Sequence, residues 1–100
     1  MYEQIVHERT LLGAIDSYMS ALVHVQPFLA RAYREQLEAL AERWLEQANP
    51  NAVELVSAEW LAGYLAALDD STVARQAIGH FYSWAFSHGL VDTPLDISTV

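Results

Sequence analysis

Apolar residues recur along this chain at steps of three and four, and nowhere at a sustained step of two. The series is longest between Pro27 and Ala48, where Leu29, Tyr33, Leu37, Leu40, Trp44 and Ala48 follow at intervals of four, four, three, four and four. Such a series falls on one face only in an α-helix, with its 3.6 residues per turn. A half-buried strand needs alternating apolar and polar residues, and no stretch of that kind is present. The series also has ends. Gln26-Pro27 opens it, with proline at a first-turn position where its missing N–H costs nothing. Asn49-Pro50-Asn51 closes it as a turn cluster.

The same spacing predicts three more helices. Thr10 is placed to cap the first, which runs to about His24 with Leu11, Ala14, Ile15, Tyr18, Leu22 and Val25 on one face. Ser57 opens the third with a capping hydroxyl, and Glu59 suits the positive helix start. Its apolar face is Trp60 or Leu61, then Tyr64, Leu65 and Leu68. Asp69-Asp70-Ser71-Thr72 supplies a turn and a cap for the fourth, which runs to about His88 with Ala74, Ala77, Ile78, Phe81, Trp84 and Ala85 inward. Gly89 follows as a C-terminal glycine. Four helices with short links make an all-α bundle. The chain is one domain, 1–100, with its helical core at about 10–90.

Composition narrows the chemistry. The chain has no cysteine, which excludes a disulfide scaffold, a thiolate nucleophile and Cys-type zinc sites. Hydrophobic residues make up 53%, including 3 Trp, 5 Tyr and 3 Phe, enough to offset the entropy of ordering. Met1–Thr10 lacks the long apolar stretch of a signal peptide. The longest apolar run, Leu61–Leu68, is far short of the roughly 20 residues of a spanning helix. A soluble, cytoplasmic protein without a membrane partner is therefore expected. With 13 acidic residues against 5 arginines, the net charge of −8 argues at first sight against nucleic acid. The acids are unevenly placed, however. From Ser71 through Val91 there is none, while Arg75, His80 and His88 are present.

Four segments, in order, resemble the N-terminal core-binding domain of tyrosine recombinases, the SAM-like domain of phage integrases. Ile15-Asp16-Ser17-Tyr18-Met19 fits the acid-x-aromatic-Leu pattern of that family's first helix. Pro27 through Leu37 is similar to the second, with the family's Ser-Pro-x-Thr replaced by Gln26 and Leu29 around Pro27. Leu55 through Leu68 looks like the third, and Ile78 through Pro94, with its Trp84, Gly89-Leu90 and Thr93-Pro94, like the fourth and its exit. The resemblance implies a four-helix orthogonal bundle that clamps duplex DNA together with a second, catalytic domain. Residues 91–100 then read as the start of the linker to that domain. The family's catalytic Arg, Lys, His, Arg and nucleophilic Tyr lie in that second domain, so this chain is expected to be non-catalytic. Its implied partners are double-stranded DNA at a recombination site and other recombinase protomers, with no metal, cofactor or small-molecule ligand.

Carried over position by position, the resemblance places DNA contacts at Gln26, Arg31 and Arg34 on the second helix. On the fourth it places them at Thr72, Arg75, Gln76, Gly79, His80 and Ser83. Arginine holds a guanine edge bidentately and glutamine an adenine edge, each worth ~1–3 kcal/mol of discrimination. Gly79 allows close backbone approach. On the second helix Arg31 has Glu35 four residues on, Arg34 has Glu38, and Glu38, Glu42 and Glu46 form a carboxylate ridge. The plainer reading of both arginines is that they offset this ridge. Tyr33 and Tyr64 sit on apolar faces and read as core residues, not nucleophiles. His80 and His88 stand eight apart, without the i, i+4 spacing of helical zinc sites. A triad drawn from Ser17 or Ser83 lacks the strand–turn context such nucleophiles need. The competing reading is a small acidic helical interaction module without DNA binding, pairing with a basic protein surface or dimerising through aromatics such as Trp60 or Tyr82.

Overall fold

In a computed structural model that describes residues 10–91, the chain forms α1 (Leu11–Val25), α2 (Pro27–Glu46), a 3-10 turn at Val53–Leu55, α3 (Ala58–Ala66) and α4 (Thr72–Ser87). The protein is all-helical, with no strand among the described residues. The Thr93-Pro94 step and the proposed linker from residue 92 onward lie outside them.

Local chemistry sets most helix ends. The Thr10 hydroxyl accepts the Gly13 N–H at 3.0 Å and the Ser57 hydroxyl accepts the Trp60 N–H at 3.1 Å, each satisfying one orphan donor of a first turn. One residue, Gln26, separates α1 from α2, and Pro27 takes the first helical position. Gly89, with φ 72°, closes α4 in the left-handed conformation that glycine adopts without strain.

The end of α2 departs from the apolar series. The helix stops at Glu46, and Ala48, the last member of that series, is exposed with φ 61°. Trp44 is the cause. Its indole Nε1 donates to the Pro50 carbonyl at 2.7 Å, and the Asn49 side-chain amide donates to the Trp44 carbonyl at 3.0 Å. The chain is thus folded back onto the ring before another helical turn can form.

The core draws on every helix: Leu11, Ile15, Tyr18 and Met19 from α1, Tyr33, Leu37, Leu40 and Trp44 from α2, Leu61 and Leu65 from α3, and Ile78, Phe81, Tyr82 and Ala85 from α4. Helices α1 and α2 share the broadest contact, α2 and α4 the next, and α1 and α4 a smaller one. Backbone proximity to α3 is sparse, so α3 is held by its side chains. Tyr18 links α1 to α4, with ring centroids 5.6 Å from Phe81 and 5.5 Å from Trp84.

Four further side chains differ from the sequence expectation. Val25, placed on the α1 face, is 74% exposed, and Leu22 is half-buried. On α4, Tyr82 is 1% exposed while Trp84 is half-buried, because Ile78, Phe81, Tyr82 and Ala85 form the i, i+3, i+4, i+7 face that meets α1 and α2. Tyr82 is therefore unavailable as an exposed aromatic for dimerisation.

The Tyr82 hydroxyl is buried without a hydrogen-bond partner. A phenolate there is costly, so burial pushes its pKa well above the usual 10.0, and burial pushes the Tyr18 hydroxyl, beside Tyr33, up to about 12. Both groups bind their protons more tightly folded than unfolded. Their contribution is complete below the unfolded value of 10.0 and is lost as pH rises past it. Denaturant midpoints should accordingly fall above about pH 10. Tyr82→Phe should reduce that alkaline loss and, at neutral pH, leave stability unchanged or raise it by about 1 kcal/mol, since the hydroxyl it removes is unpaired. Urea titrations across pH check both outcomes. In the same assay at pH 7, Ser57→Ala should cost about 1 kcal/mol through loss of the α3 cap.

Candidate nucleic-acid interface

Opposite the buried face of α4, Thr72, Gln76, Gly79 and Ser83 recur at steps of four, three and four. On a regular helix they fall within an arc of about 60°. Thr72, Gln76 and Ser83 are exposed and Gly79 is half-buried. This side offers two hydroxyls, one amide and a glycine, and none of the four residues is acidic. Such a set can donate to phosphate oxygens and pair with base edges.

The two cationic candidates on α4 leave this stripe on opposite flanks, about 140° apart around the helix axis. Arg75 is half-buried at one edge. His80, exposed, turns to the other, where its ring meets the buried Tyr33 of α2 edge-on at 5.7 Å. His80 therefore belongs to the α2–α4 seam as much as to the outer stripe.

The three α2 candidates stand elsewhere. Gln26 sits at the α1–α2 corner, where its backbone N–H closes α1 on the Leu22 carbonyl at 2.8 Å and its side chain makes no capping bond. Arg34 and Arg31 are exposed, about 100° and 160° around α2 from Tyr33, on the side turned from the His80 contact. The structure thus gathers Thr72, Gln76, Gly79 and Ser83 on one surface with Arg75 and His80 at its edges. It does not bring Arg31 and Arg34 to that surface.

Two features of this region go beyond the sequence expectation. The first is the bond that makes the expected turn and cap at Asp69-Asp70-Ser71-Thr72: the Asp70 Oδ1 accepts the Thr72 N–H at 3.0 Å. Ser71 occupies the cap position without a capping bond of its own, so this carboxylate takes one of the free N–H groups at the start of α4. That bond holds the Asp70 carboxyl below its ordinary value of 3.8 and leaves a negative charge beside Thr72. The signal was an aspartate two residues ahead of a helix start, the signature of an Asx turn. The second is an apolar edge at the α1–α2 corner, where Val25 is 74% and Phe28 93% exposed beside Leu29. Phe28 falls outside the apolar series of α2, which is the only sequence sign that it faces outward.

Among the described residues no group of three His, Asp or Glu is placed to hold a metal ion, and no helix is long and apolar enough to cross a membrane. No family model, no curated protein and no solved structure matches the chain.

The Asp70 bond predicts a pH signature. A carboxylate with a depressed folded pKa stabilises the helix start above its unfolded value and loses that contribution as pH falls through the folded one. The Thr72 amide resonance should therefore titrate with a midpoint below 3.8, and Asp70→Ala should abolish that titration. A proton–nitrogen correlation series on both proteins measures it.

Proposed function

We propose that this chain is the DNA-binding core-binding domain of a site-specific tyrosine recombinase, acting in DNA integration and recombination, with the chemistry carried by a separate catalytic domain. The observation that carries the reading is the outer side of α4, where Thr72, Gln76, Gly79 and Ser83 lie along a helix that contains no acidic residue, in a chain of net charge −8. The order of the four helices and the resemblance of their sequences to the SAM-like domain supply the rest. In this reading the bundle is the orthogonal, SAM-like one, it works in the cytoplasm, and its partners are recombination-site DNA and neighbouring recombinase protomers.

The chemistry follows from the side chains. Gln76, at the centre of the stripe, pairs with an adenine edge in the major groove. The Ser83 hydroxyl donates to a phosphate oxygen, fixing register without reading sequence, whereas the Thr72 side chain is engaged by the Asp70 carboxylate. Gly79 lets the backbone approach, and Arg75 reaches a phosphate or a guanine from the edge of the stripe. Glu38, Glu42 and Glu46 on α2 repel the duplex from that helix, and Asp69 and Asp70 repel it from the N-terminal end of α4, which leaves the stretch from Gln76 onward. With so few cations, affinity is low and weakly salt-dependent.

Fluorescence anisotropy with labelled duplex DNA tests this. The slope of log affinity against log salt should lie at about −1 to −3. Gln76→Glu should abolish binding by setting a carboxylate against the phosphates, whereas Arg75→Ala should weaken it and reduce the slope by about 1. Binding that is undetectable at low salt, or indifferent to Gln76→Glu, rejects the proposal. Arg31→Ala with Arg34→Ala reports on α2: an unchanged slope confines the contact to α4.

A further inference from the structure

The C-terminal half of α2 and the length of α3 enclose a groove that the DNA reading does not use. Two hollows run into one another there. One is lined by Gln47, Glu59, Trp60 and Gly63, the other by Ala39, Glu42, Glu46 and Leu68, and Arg43, Tyr64 and Ala67 line both. The floor is aromatic and fixed. Trp60 stacks on Tyr64 with ring centroids 5.5 Å apart and planes 10° from parallel. It meets Trp44 edge-on at 5.0 Å, and its Nε1 donates to the Gln47 side chain at 2.8 Å. Both Trp60 and Tyr64 are half-buried, which leaves part of each ring open to the groove.

The rim has a definite charge. Glu42, Glu46 and Glu59 are all exposed, against the one guanidinium of Arg43. Arg43 lies close enough to the Tyr64 hydroxyl for its charge to act against the upward pull of burial on that group. A cation already sits at the aromatic floor, in the setting where guanidinium and ammonium groups are attracted to ring faces. Small residues leave the space open. A Cβ built on Gly63 meets no atom within 4 Å.

We propose that this groove docks a basic amphipathic segment of a partner protein, its apolar side on Trp60 and Tyr64 and its lysines or arginines between Glu42, Glu46 and Glu59. Charge complementarity selects this occupant. A second copy of the chain brings a net charge of −8 and no lysine to a surface that is itself acidic, so self-association is opposed. The groove is independent of the α4 surface, and this docking stands or falls apart from DNA binding.

The test uses two synthetic peptides of equal length and leucine content, one carrying lysine at every polar position and the other glutamate. The lysine peptide should bind at low salt and shift the Trp60 indole N–H resonance, and the glutamate peptide should not. Gly63→Leu fills the groove where nothing obstructs a side chain, and in mid-helix it also replaces a poor helix former. It should leave the helical circular dichroism intact and abolish binding. Glu46→Gln with Glu59→Gln should weaken binding about fivefold, in line with two rim charge pairs. Arg43→Gln, which removes the resident cation, should strengthen it. Overturning results are equal binding of both peptides, no binding of the lysine peptide at low salt, or binding unaffected by Gly63→Leu. Sedimentation showing a homodimer that Gly63→Leu dissolves would also overturn it, since the occupant is then a second copy.

Discussion

The Trp44 side chain is the fixture that ties the loop after α2 and the helix α3 to the rest of the molecule. Its indole N–H holds the Pro50 carbonyl at 2.7 Å, which turns the chain after α2, and its ring receives Trp60 edge-on at 5.0 Å, which seats α3. A buried aromatic that also bonds a loop carbonyl does two things at once: it contributes apolar area, and it finds a partner for its own indole N–H, on a carbonyl that also accepts the Ala52 N–H at 2.9 Å. Asn49 adds the reverse bond to the Trp44 carbonyl. Asn51 extends the loop's reach to α1, its Oδ1 accepting the Leu12 N–H at 3.3 Å. The loop of residues 47–52 is thereby tied to two helices without contributing a large side chain to the core.

Charge divides the molecule into two sides. The carboxylates of α2 and the α3 start stand on one, and the uncharged outer stripe of α4 on the other. A net charge of −8 averages over these and describes neither. Long-range repulsion keeps a polyanion from the α2 side, while the α4 stripe offers hydrogen-bonding groups with little field of its own. The same asymmetry makes the α2–α3 groove attractive to cations. The two proposed binding reactions, of opposite electrostatic sign, thus call on separate surfaces of one small domain.

Much of the fold was legible because it is decided locally. Helix periodicity, the Thr10 and Ser57 caps, Pro27 at a helix start and Gly89 at a helix end depend on a few neighbouring residues, and the structure places each as the spacing predicts. Other features depend on contacts that helical spacing does not encode. Ala48 continues the apolar series but leaves the helix, because Trp44 recruits Pro50. Tyr82 and Trp84 lie at the edges of one helical face, and only the positions of α1 and α2 decide which of them is covered. Of the candidate site, the α4 residues could be placed on one side from spacing alone. That Arg31 and Arg34 face away from them follows from the Tyr33–His80 contact, which no single helix encodes. The groove was hidden for the same reason, since its α2 wall reads as a solvated carboxylate ridge and its α3 wall as an apolar face bound for the core.

The weak backbone contact of α3 has a dynamic consequence. Helices α1, α2 and α4 enclose one another, whereas the 9 residues of α3 rely on Leu61, Leu65 and the Trp60 ring for their hold. Local opening draws on the least connected element first, and it need not disturb the remainder of a domain. Detachment of α3 takes Trp60 and Tyr64 away from α2 and dismantles the groove while the α4 stripe stays intact on its three-helix support. One core thus joins two parts, the body of α1, α2 and α4 and the more weakly connected α3. A ligand seated between α2 and α3 would act as a fastener on the weaker one, slowing amide exchange in α3 far more than in the body it leans on.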